Sequence, residues 1–299
     1  MDILVTGGEG QLGIELSALA WPSNVRIHAP PRSQLDLSDA ASIRAVFADR
    51  RYDAVINAAA FTAVDRAESE IGTAFAVNAT GPAHLAEATR ASGTPLLHIS
   101  TDYVFDGQKI GAYVEDDPVG PLGVYGASKE AGEQAVRAGN PRSVILRTAW
   151  LVSAHRQNFV KTMLRLARER RKLRVVDDQH GCPTSAADLA QAVAMMTLRL
   201  AEDPNAPTGT YHFVNSGTTS WYGLARHVFG LAPGLGGPNP TVEAIKTADY
   251  PTPARRPVNS QLSVEKLTRD YGIVPRPWQE PISGLVAMLL GTGSHREDQ

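Results

Sequence analysis

Residues 2–13 read DILVTGGEGQLG, and this stretch decides the fold. Its first five residues form an apolar run typical of a buried strand, and a helical stripe of leucines follows the glycines. Between them, Gly7, Gly10 and Gly13 have the spacing G-x-x-G-x-x-G. Such glycines let the backbone approach a pyrophosphate, to which the helix N-terminus offers N–H groups. The stretch predicts a dinucleotide-binding turn; its place after the first strand disfavours a purely structural glycine-rich turn.

Strand-like and helix-like segments go on alternating to about residue 150. The sequence predicts strands at residues 2–6, 25–29, 53–59, 94–100 and 143–148. It predicts helices at residues 11–20, 38–49 and 125–138, and an alanine-rich helical stretch at 66–92 that Gly72 and Gly81 divide in two. This order is typical of an α/β protein with a Rossmann-type, doubly wound parallel sheet and helices on both faces.

Beyond residue 150 the alternation is looser. The sequence predicts helices at residues 158–170, 185–200, 220–229, 263–271 and 281–290, strands at 173–177 and 210–214, and loops at 231–240 and 250–257. We therefore predict a dinucleotide-binding domain of residues 1–155, which also receives segments from about residues 184–216. Residues 156–299 are expected to form mainly a smaller C-terminal substrate-binding lobe, and the polar residues 291–299 are expected to fray.

Composition excludes several classes of protein. The 299 residues carry a formal net charge of −2, so neither a nucleic-acid nor a membrane footprint is expected. The first residues are expected to enter a strand at once, with no leader sequence before it, and the longest late apolar run is too short to span a bilayer. Cys182 is the single cysteine, which excludes an intrachain disulfide and fits a reducing compartment. We expect a cytoplasmic protein, and no cluster with the spacing of metal ligands is apparent.

The region after the second predicted strand bears on the coenzyme. It reads Ala29-Pro30-Pro31-Arg32 and lacks the acid that often binds the adenosine ribose. Arg32 could instead meet a 2′-phosphate, which favours NADPH, with NADH possible. Asp36 would follow a third short strand and could hold the adenine, or it could cap the helix near Ser38. Small alanines at residues 58–60 would admit the coenzyme or simply pack the core.

Tyr125 and Lys129 lie four residues apart on a predicted helix, so their side chains share one face. A nearby ammonium favours the phenolate and lowers the phenol pKa from roughly 10. The pair is thus a compact proton donor for a carbonyl under reduction. Thr101, at the end of a predicted strand, could hydrogen-bond that carbonyl. Taken singly, these residues fit a solvated helix and a structural threonine; their order after the glycine turn favours chemistry.

These motifs resemble those of the extended short-chain dehydrogenase/reductases over nearly the whole chain. The blocks NAAAFTAVD at 57–65, STDYVFDG at 100–107 and YPTPARRP at 250–257 are most similar to the reductases of dTDP-4-dehydrorhamnose within that family. The resemblance implies an NAD(P)H-dependent reduction of the 4-keto group of dTDP-4-dehydro-L-rhamnose to dTDP-L-rhamnose. It also implies a homodimer.

The resemblance implies roles for individual residues. Thr101 and Tyr125 would contact the keto oxygen, with Tyr125 as the proton donor, and Lys129 would lower its pKa and hold the nicotinamide ribose. The coenzyme would be contacted by Gly7, Gly10, Gln11, Leu12, Gly13, Arg32, Asp36, Leu37, Ala59, Ala60, Phe61, Tyr125 and Lys129. The substrate would be contacted by Thr101, Asp102, Trp150 and Arg256. Arg256 is also a candidate for the diphosphate, because guanidinium groups bind phosphate bidentately, or for a solvated loop charge.

Three departures from the family pattern concern the coenzyme more than the reaction. Phe61 stands where many relatives have Tyr or His, Gly123 stands where they often have Asn, and the acid after the second strand is absent. Two alternatives stay open. The chain could be a reductase or epimerase of another nucleotide-linked deoxysugar, or a non-catalytic NADP-binding regulatory subunit. Trp150 and Trp221 could both be core aromatics, a role that we prefer for Trp221.

Overall fold

A computed structural model describes residues 1–291. Its strands are β1 (Asp2–Thr6), β2 (Arg26–His28), β3 (Ala54–Asn57), β4 (Leu96–Thr101), β5 (Ser143–Thr148), β6 (Leu151–Val152), β7 (Lys172–Val176), β8 (His180–Gly181), β9 (Thr184–Ser185), β10 (Gly209–His212), β11 (Thr219–Ser220), β12 (Thr241–Ile245) and β13 (Asn259–Ser260). Its helices are α1 (Gln11–Ala18), α2 (Ala40–Asp49), α3 (Val64–Ala67), α4 (Ile71–Phe75), α5 (Gly81–Ser92), α6 (Val124–Gly139), α7 (Phe159–Glu169), α8 (Ala186–Glu202), α9 (Trp221–Leu231), α10 (Glu265–Tyr271) and α11 (Gln279–Gly291). Residues 292–299, where nearly all of the predicted frayed tail falls, lie outside the described residues.

Six parallel strands form the central sheet in the order β10-β5-β4-β3-β1-β2. Alternate residues of β1 enter different cores: Ile3 packs with α1 and α8, and Leu4 packs with α2, α5 and α6. Helices therefore cover both faces, and the predicted Rossmann-type doubly wound sheet is confirmed. The strand order reverses at β1, so the loops after β1 and β3 flank a crevice at the carboxyl edge.

The C-terminal half has a core of its own but returns to the first sheet. Side chains of α7, α9 and α11 pack around Leu173 and Val175 of β7, which pairs with β12. Helix α8, in contrast, packs against α1, and β10 extends the central sheet beside β5. The division at residue 155 stays a prediction. No helix within residues 1–291 is long and apolar enough to cross a membrane.

The alanine-rich stretch does not break where its glycines predict. Residues 68–70 separate α3 from a helical run over residues 71–92, in which residues 76–80 form a π-helical turn. Gly81 continues that run, and a Cβ there would lie 2.6 Å from the Leu37 carbonyl oxygen. The glycine serves close packing, and the π-turn accommodates Asn78, whose amide bonds both backbone groups of Phe61.

Other local predictions were wrong for physical reasons. No third short strand precedes Asp36: residues 32–34 form a turn. Pro30 and Pro31 lack the N–H groups that a strand there would need. Strands β6, β8, β9, β11 and β13 were missed, since two residues carry no periodicity.

Gly132 provides a test of the packing between α6 and the π-turn. A Cβ at this buried position would lie 2.0 Å from the Asn78 carbonyl oxygen. We expect Gly132→Ala to reduce the free energy of unfolding by about 1–3 kcal/mol in urea titrations, because backbone must move. Gly72→Ala is the matched control, since a Cβ there meets nothing within 4 Å. It should cost nothing; equal losses in both variants would contradict this packing.

Candidate active site

A cleft of about 680 Å³ opens at the carboxyl edge of the central sheet. The loops after β1, β3, β4 and β5 line it, as expected for a doubly wound fold. Of the predicted site residues, its wall contains Gly7, Gly10, Gln11, Leu12, Arg32, Asp36, Leu37, Ala59, Ala60, Thr101, Asp102, Tyr125, Lys129 and Trp150. Gly13, Phe61 and Arg256 are not part of this wall.

The glycine turn fits a pyrophosphate. Gly7 has φ +70°, and the Gly10 N–H donates to the Gly7 carbonyl at 2.9 Å. Helix α1 starts at Gln11 with no side-chain cap, so its first N–H groups are available to an anion. Gly13 supports the turn and does not line the cleft: a Cβ there would lie 2.2 Å from the Gly7 carbonyl oxygen, so only glycine lets α1 pack this closely on the turn.

Arg32 and Asp36 bind each other at one end of the cleft. The Arg32 Nε–Asp36 Oδ2 distance is 3.0 Å, and the Glu9 carboxylate accepts from the Arg32 backbone N–H at 3.3 Å. Asp36 also accepts bonds from the Ser38 backbone and hydroxyl. Burial opposes ionisation of Asp36, but the bonds from Ser38 and Arg32 prevail and lower its pKa. Both residues still line the cleft.

Tyr125 and Thr101 meet at the middle of the cleft. Helix α6 places Tyr125 against Tyr103, with ring centroids 5.5 Å apart. Burial of the Tyr125 hydroxyl raises its pKa to about 12, although a hydrogen bond with Thr101 acts in the opposite direction. Thr101 also donates to Asp102 Oδ1 at 3.0 Å. The two hydroxyls thus lie close together, and Asp102 accepts the Thr101 proton.

Lys129 does not lower the Tyr125 pKa in this structure, contrary to the sequence prediction. Its ammonium instead donates to the Ile99 carbonyl oxygen at 2.7 Å and lies 3.5 Å from His98 Nε2. Lys129 is only 2% exposed, and burial lowers its own pKa to about 8 despite the charge of Glu133. Burial of the Tyr125 hydroxyl is the largest influence on the phenol pKa and raises it, and Lys129 is not among the groups that shift it.

Glu133 anchors α6 beneath the cleft. It is almost fully buried and receives two bonds from Arg147, Nε–Oε1 at 2.8 Å and Nη2–Oε2 at 2.7 Å. The Ser100 hydroxyl donates to it at 2.5 Å. Glu133 was not predicted as a site residue, although it lies four residues beyond Lys129 on the same helical face, a spacing that indicates a contact between their surroundings.

Two polar atoms in the cleft wall lack partners among the described residues. Asp102 Oδ2 and Thr148 Oγ1 are buried and make no hydrogen bond. Burial raises the Asp102 pKa to about 6, while bonds from Ser260 and Thr101 oppose the shift. Buried polar groups are normally satisfied, so these atoms fit a ligand with hydroxyl groups. Within residues 1–291, no group of three or more His, Cys, Asp or Glu side chains is arranged to hold a metal ion.

Trp150 is held in an unusual backbone conformation at the cleft wall. Its φ is +47°, and its ring stacks on Trp221 with centroids 3.5 Å apart. Gly181 lies under it, since a Cβ there would be 2.6 Å from the ring. A non-glycine residue with positive φ persists only when its surroundings enforce it, and such residues are frequent at ligand sites.

The predicted residues outside the wall have structural partners. Arg256 Nη2 pairs with Asp65 Oδ2 at 2.9 Å, which ties the loop of residues 250–257 to α3. Phe61 is held through its backbone by Asn78, and the Arg66 guanidinium lies over its ring. Gly123 is the N-cap residue of α6 and has no side chain that could cap the helix. Glu68 caps it instead, because its carboxylate accepts a hydrogen bond from the Val124 N–H at 2.9 Å.

A segment of the second half, residues 153–158, closes over the glycine turn. Gln11 Oε1 accepts from Ser153 and Asn158, each at 3.1 Å. Arg156, with φ +53°, donates from Nε to the Glu9 carbonyl oxygen at 2.6 Å. Arg156 and Asn158 line the cleft. The family resemblance includes Asn158, but no pattern in the sequence indicated Arg156 or the contacts of either residue, because these contacts span more than 140 positions.

The model of the RmlD substrate binding domain family matches residues 1–290. Among curated relatives, the dTDP-4-dehydrorhamnose reductase of Sinorhizobium fredii is 45% identical, over 98% of this chain and 99% of its own. The enzyme of the same name from Escherichia coli is 41% identical, over 98% and 99%.

Solved structures agree with these matches. A dTDP-4-dehydrorhamnose reductase from Clostridium acetobutylicum is 38% identical, with a TM-score of 0.90 over 97% of this chain and 99% of that one. A structure of the enzyme of the same name from Bacillus anthracis, in complex with NADP, is 35% identical, with a TM-score of 0.87 over 95% and 98%.

Asp102 provides a pH-dependent test of the site. A carboxyl whose pKa is raised on folding stabilises the protein below its unfolded pKa, and this contribution is lost as the pH rises through the folded value. The unfolding free energy of Asp102→Asn relative to the unchanged protein should therefore increase between about pH 4 and pH 7, by up to about 3 kcal/mol. Urea titrations at several pH values measure it. The exposed Asp116→Asn is the control; parallel pH curves for both variants would contradict the burial of Asp102.

Proposed function

This chain belongs to the RmlD substrate binding domain family, and we propose that it reduces dTDP-4-dehydro-L-rhamnose to dTDP-L-rhamnose with NADPH. One observation carries the proposal: the Thr101 and Tyr125 hydroxyls meet in the cleft that also contains the glycine turn. A reductase of this kind needs a binding site for the keto oxygen directly beside a binding site for the dinucleotide. The names of the relatives supply the substrate and support the same reaction.

The glycine turn and the uncapped start of α1 would hold the coenzyme pyrophosphate, with Ala59 and Ala60 beside its middle. When bound, the reduced nicotinamide supplies the hydride. Lys129, at the floor of the cleft, would hold the nicotinamide ribose through ammonium N–H groups that Ile99 does not occupy.

Tyr125 would act on the keto oxygen. Tyr125 would donate a hydrogen bond to that oxygen, and Thr101 would do so once its hydroxyl proton turns from Asp102 Oδ1; these bonds would position the carbonyl and stabilise the negative charge that develops on it. Tyr125 then transfers its phenolic proton to the same oxygen. A phenol with a pKa of about 12 suits this step, because an alkoxide is a stronger base than a phenolate.

The free oxygen of Asp102 would accept a bond from a sugar hydroxyl, and the Trp150 ring would pack against the sugar. Arg256 remains a proposed substrate residue; it pairs with Asp65 near Tyr103, which is part of the cleft wall. We further propose a cytoplasmic homodimer, as the family resemblance implies.

Two enzyme variants separate the roles of neighbouring phenols. We expect Tyr125→Phe to bind NADPH with an unaltered dissociation constant while its turnover falls by about 10²–10⁴, because it lacks the proton donor. Tyr103→Phe, which removes the adjacent hydroxyl, should lose less than about ten-fold. NADPH absorbance with dTDP-4-dehydro-L-rhamnose and other nucleotide keto-sugars measures turnover. If the unchanged protein turns over none of these sugars, it is a non-catalytic binding subunit. If it turns over only another nucleotide keto-sugar, that sugar and not dTDP-4-dehydro-L-rhamnose is its substrate.

Arg32 tests the coenzyme preference. The side chain is exposed at the cleft end, and the relative from Bacillus anthracis binds NADP. Arg32→Ala should weaken NADPH binding by about ten-fold, because a charge-assisted bond to the 2′-phosphate is lost, and leave NADH binding unchanged. Arg44→Ala, an exposed charge outside the cleft, is the control for fluorescence titrations. Equal loss for both coenzymes would assign Arg32 another role.

A further inference from the structure

A row of buried polar side chains runs from the first strand to Lys129, beneath the cleft. Thr6 Oγ1 donates to Asn57 Oδ1 at 2.6 Å, and Asn57 Nδ2 lies 2.9 Å from His98 Nδ1. His98 Nε2 lies 3.5 Å from Lys129 Nζ. All four side chains are at most 2% exposed, so the whole row lies in the protein interior.

Thr6 and Ala59 together fix the orientation of the Asn57 amide. The Ala59 backbone N–H is shared between Asn57 Oδ1 and Thr6 Oγ1, each at 3.3 Å, and the Thr6 hydroxyl donates to Asn57 Oδ1. A flipped amide would bring its amino group against the Ala59 N–H, which cannot accept, and would remove the acceptor of the Thr6 hydroxyl. The amide oxygen therefore faces Thr6 and Ala59, and the amino group faces His98. An amide amino group only donates, and His98 Nδ1 must therefore be the acceptor.

This arrangement selects one tautomer of His98. Burial and the Lys129 charge keep the His98 pKa well below its usual value, so the ring is neutral. With Nδ1 bare, the single ring proton is on Nε2 and faces Lys129 Nζ. An ammonium has no lone pair, so it cannot accept this N–H, and it cannot donate to a nitrogen that already carries a proton.

We propose that Thr6 and Asn57 lock His98 in its Nε2–H form, and that His98 is thereby a positioning residue for Lys129. The Nε2–H prevents the ammonium from donating to His98, so only the Ile99 carbonyl oxygen of β4 receives one of its N–H groups and the others stay free for the cleft. The same Nε2–H favours the neutral amine of Lys129 over its ammonium form. His98 thereby sets the pH above which activity is lost, since the ammonium form is the one that holds the coenzyme. This role rests on the proposed function, in which protonated Lys129 holds the coenzyme.

Other charges near Lys129 do not replace this control. On its own helix, Glu133 favours the ammonium, but Arg147 of β5 and Ser100 of β4 occupy its oxygens. Tyr125, one turn earlier, remains protonated because of its burial, and Asp102 bonds Thr101. The His98 ring thus lies directly against the ammonium, with Nε2 at 3.5 Å from Nζ.

The tautomer can be measured without any assay of activity. Long-range ¹H–¹⁵N spectra of the histidine rings, assigned with His98→Gln, should show a protonated Nε2 and a bare Nδ1 from pH 6 to pH 9. A proton on Nδ1, or on both nitrogens, would overturn the proposal. Because this result is independent of turnover, loss of the proposed reductase function would not be confused with it.

The effect on Lys129 is measured by NMR of protein labelled with [¹³C]lysine. The chain has six lysines, and the Lys129 signal is assigned as the one that is missing from Lys129→Met. In His98→Gln, the amide oxygen can accept from the ammonium, and the titration midpoint of Lys129 should rise by about one unit. The alkaline limb of kcat/KM should move with it. His84→Gln, on α5, is the control and should move neither. An unshifted Lys129 midpoint in folded His98→Gln refutes the positioning role; if that variant does not fold, the tautomer of the unchanged protein decides.

Discussion

The buried carboxylate of Glu133 is the contact on which the site geometry depends. It joins α6 to the ends of β4 and β5 through Ser100 and Arg147, with both charges almost fully removed from water. A buried ion pair of this kind adds little net stability, but the loss of one partner leaves a charge without compensation. The pair therefore fixes where α6 lies on the sheet. Lys129 and Tyr125, which lie one and two turns away on the same face, take their positions from it.

Preorganisation of the cleft has a visible energetic cost. Lys129 is buried with its pKa lowered, Asp102 is buried with its pKa raised, and Trp150 has a strained backbone. None of these features favours folding, and each faces the same space. Such concentration of unfavourable groups in one cleft is typical of functional sites, where stability is exchanged for readiness to bind. The hydrophobic cores of the central sheet and of the second half bury the apolar surface that offsets this loss.

Much of this architecture could be predicted from the sequence because it depends on local patterns. The glycine spacing, the alternation up to β5 and the four-residue interval from Tyr125 to Lys129 each act within one or two turns of chain. The π-turn at residues 76–80, the capping of α6 by Glu68 and the contacts of residues 153–158 with the glycine turn depend on distant partners. The Lys129 pKa belongs to the same class, since burial and not sequence spacing decided it.

The position of β10 has a consequence for how this fold can be made and rearranged. The strand that covers the edge of β5 is residues 209–212, supplied only after the chain has left the sheet and helped to build a second core. During synthesis, β5 keeps an unpaired edge until more than 200 residues have been made, which is a period of exposure to misassembly. For the same reason, no single crossover point separates the two halves, so related chains cannot exchange them as cassettes by one recombination event.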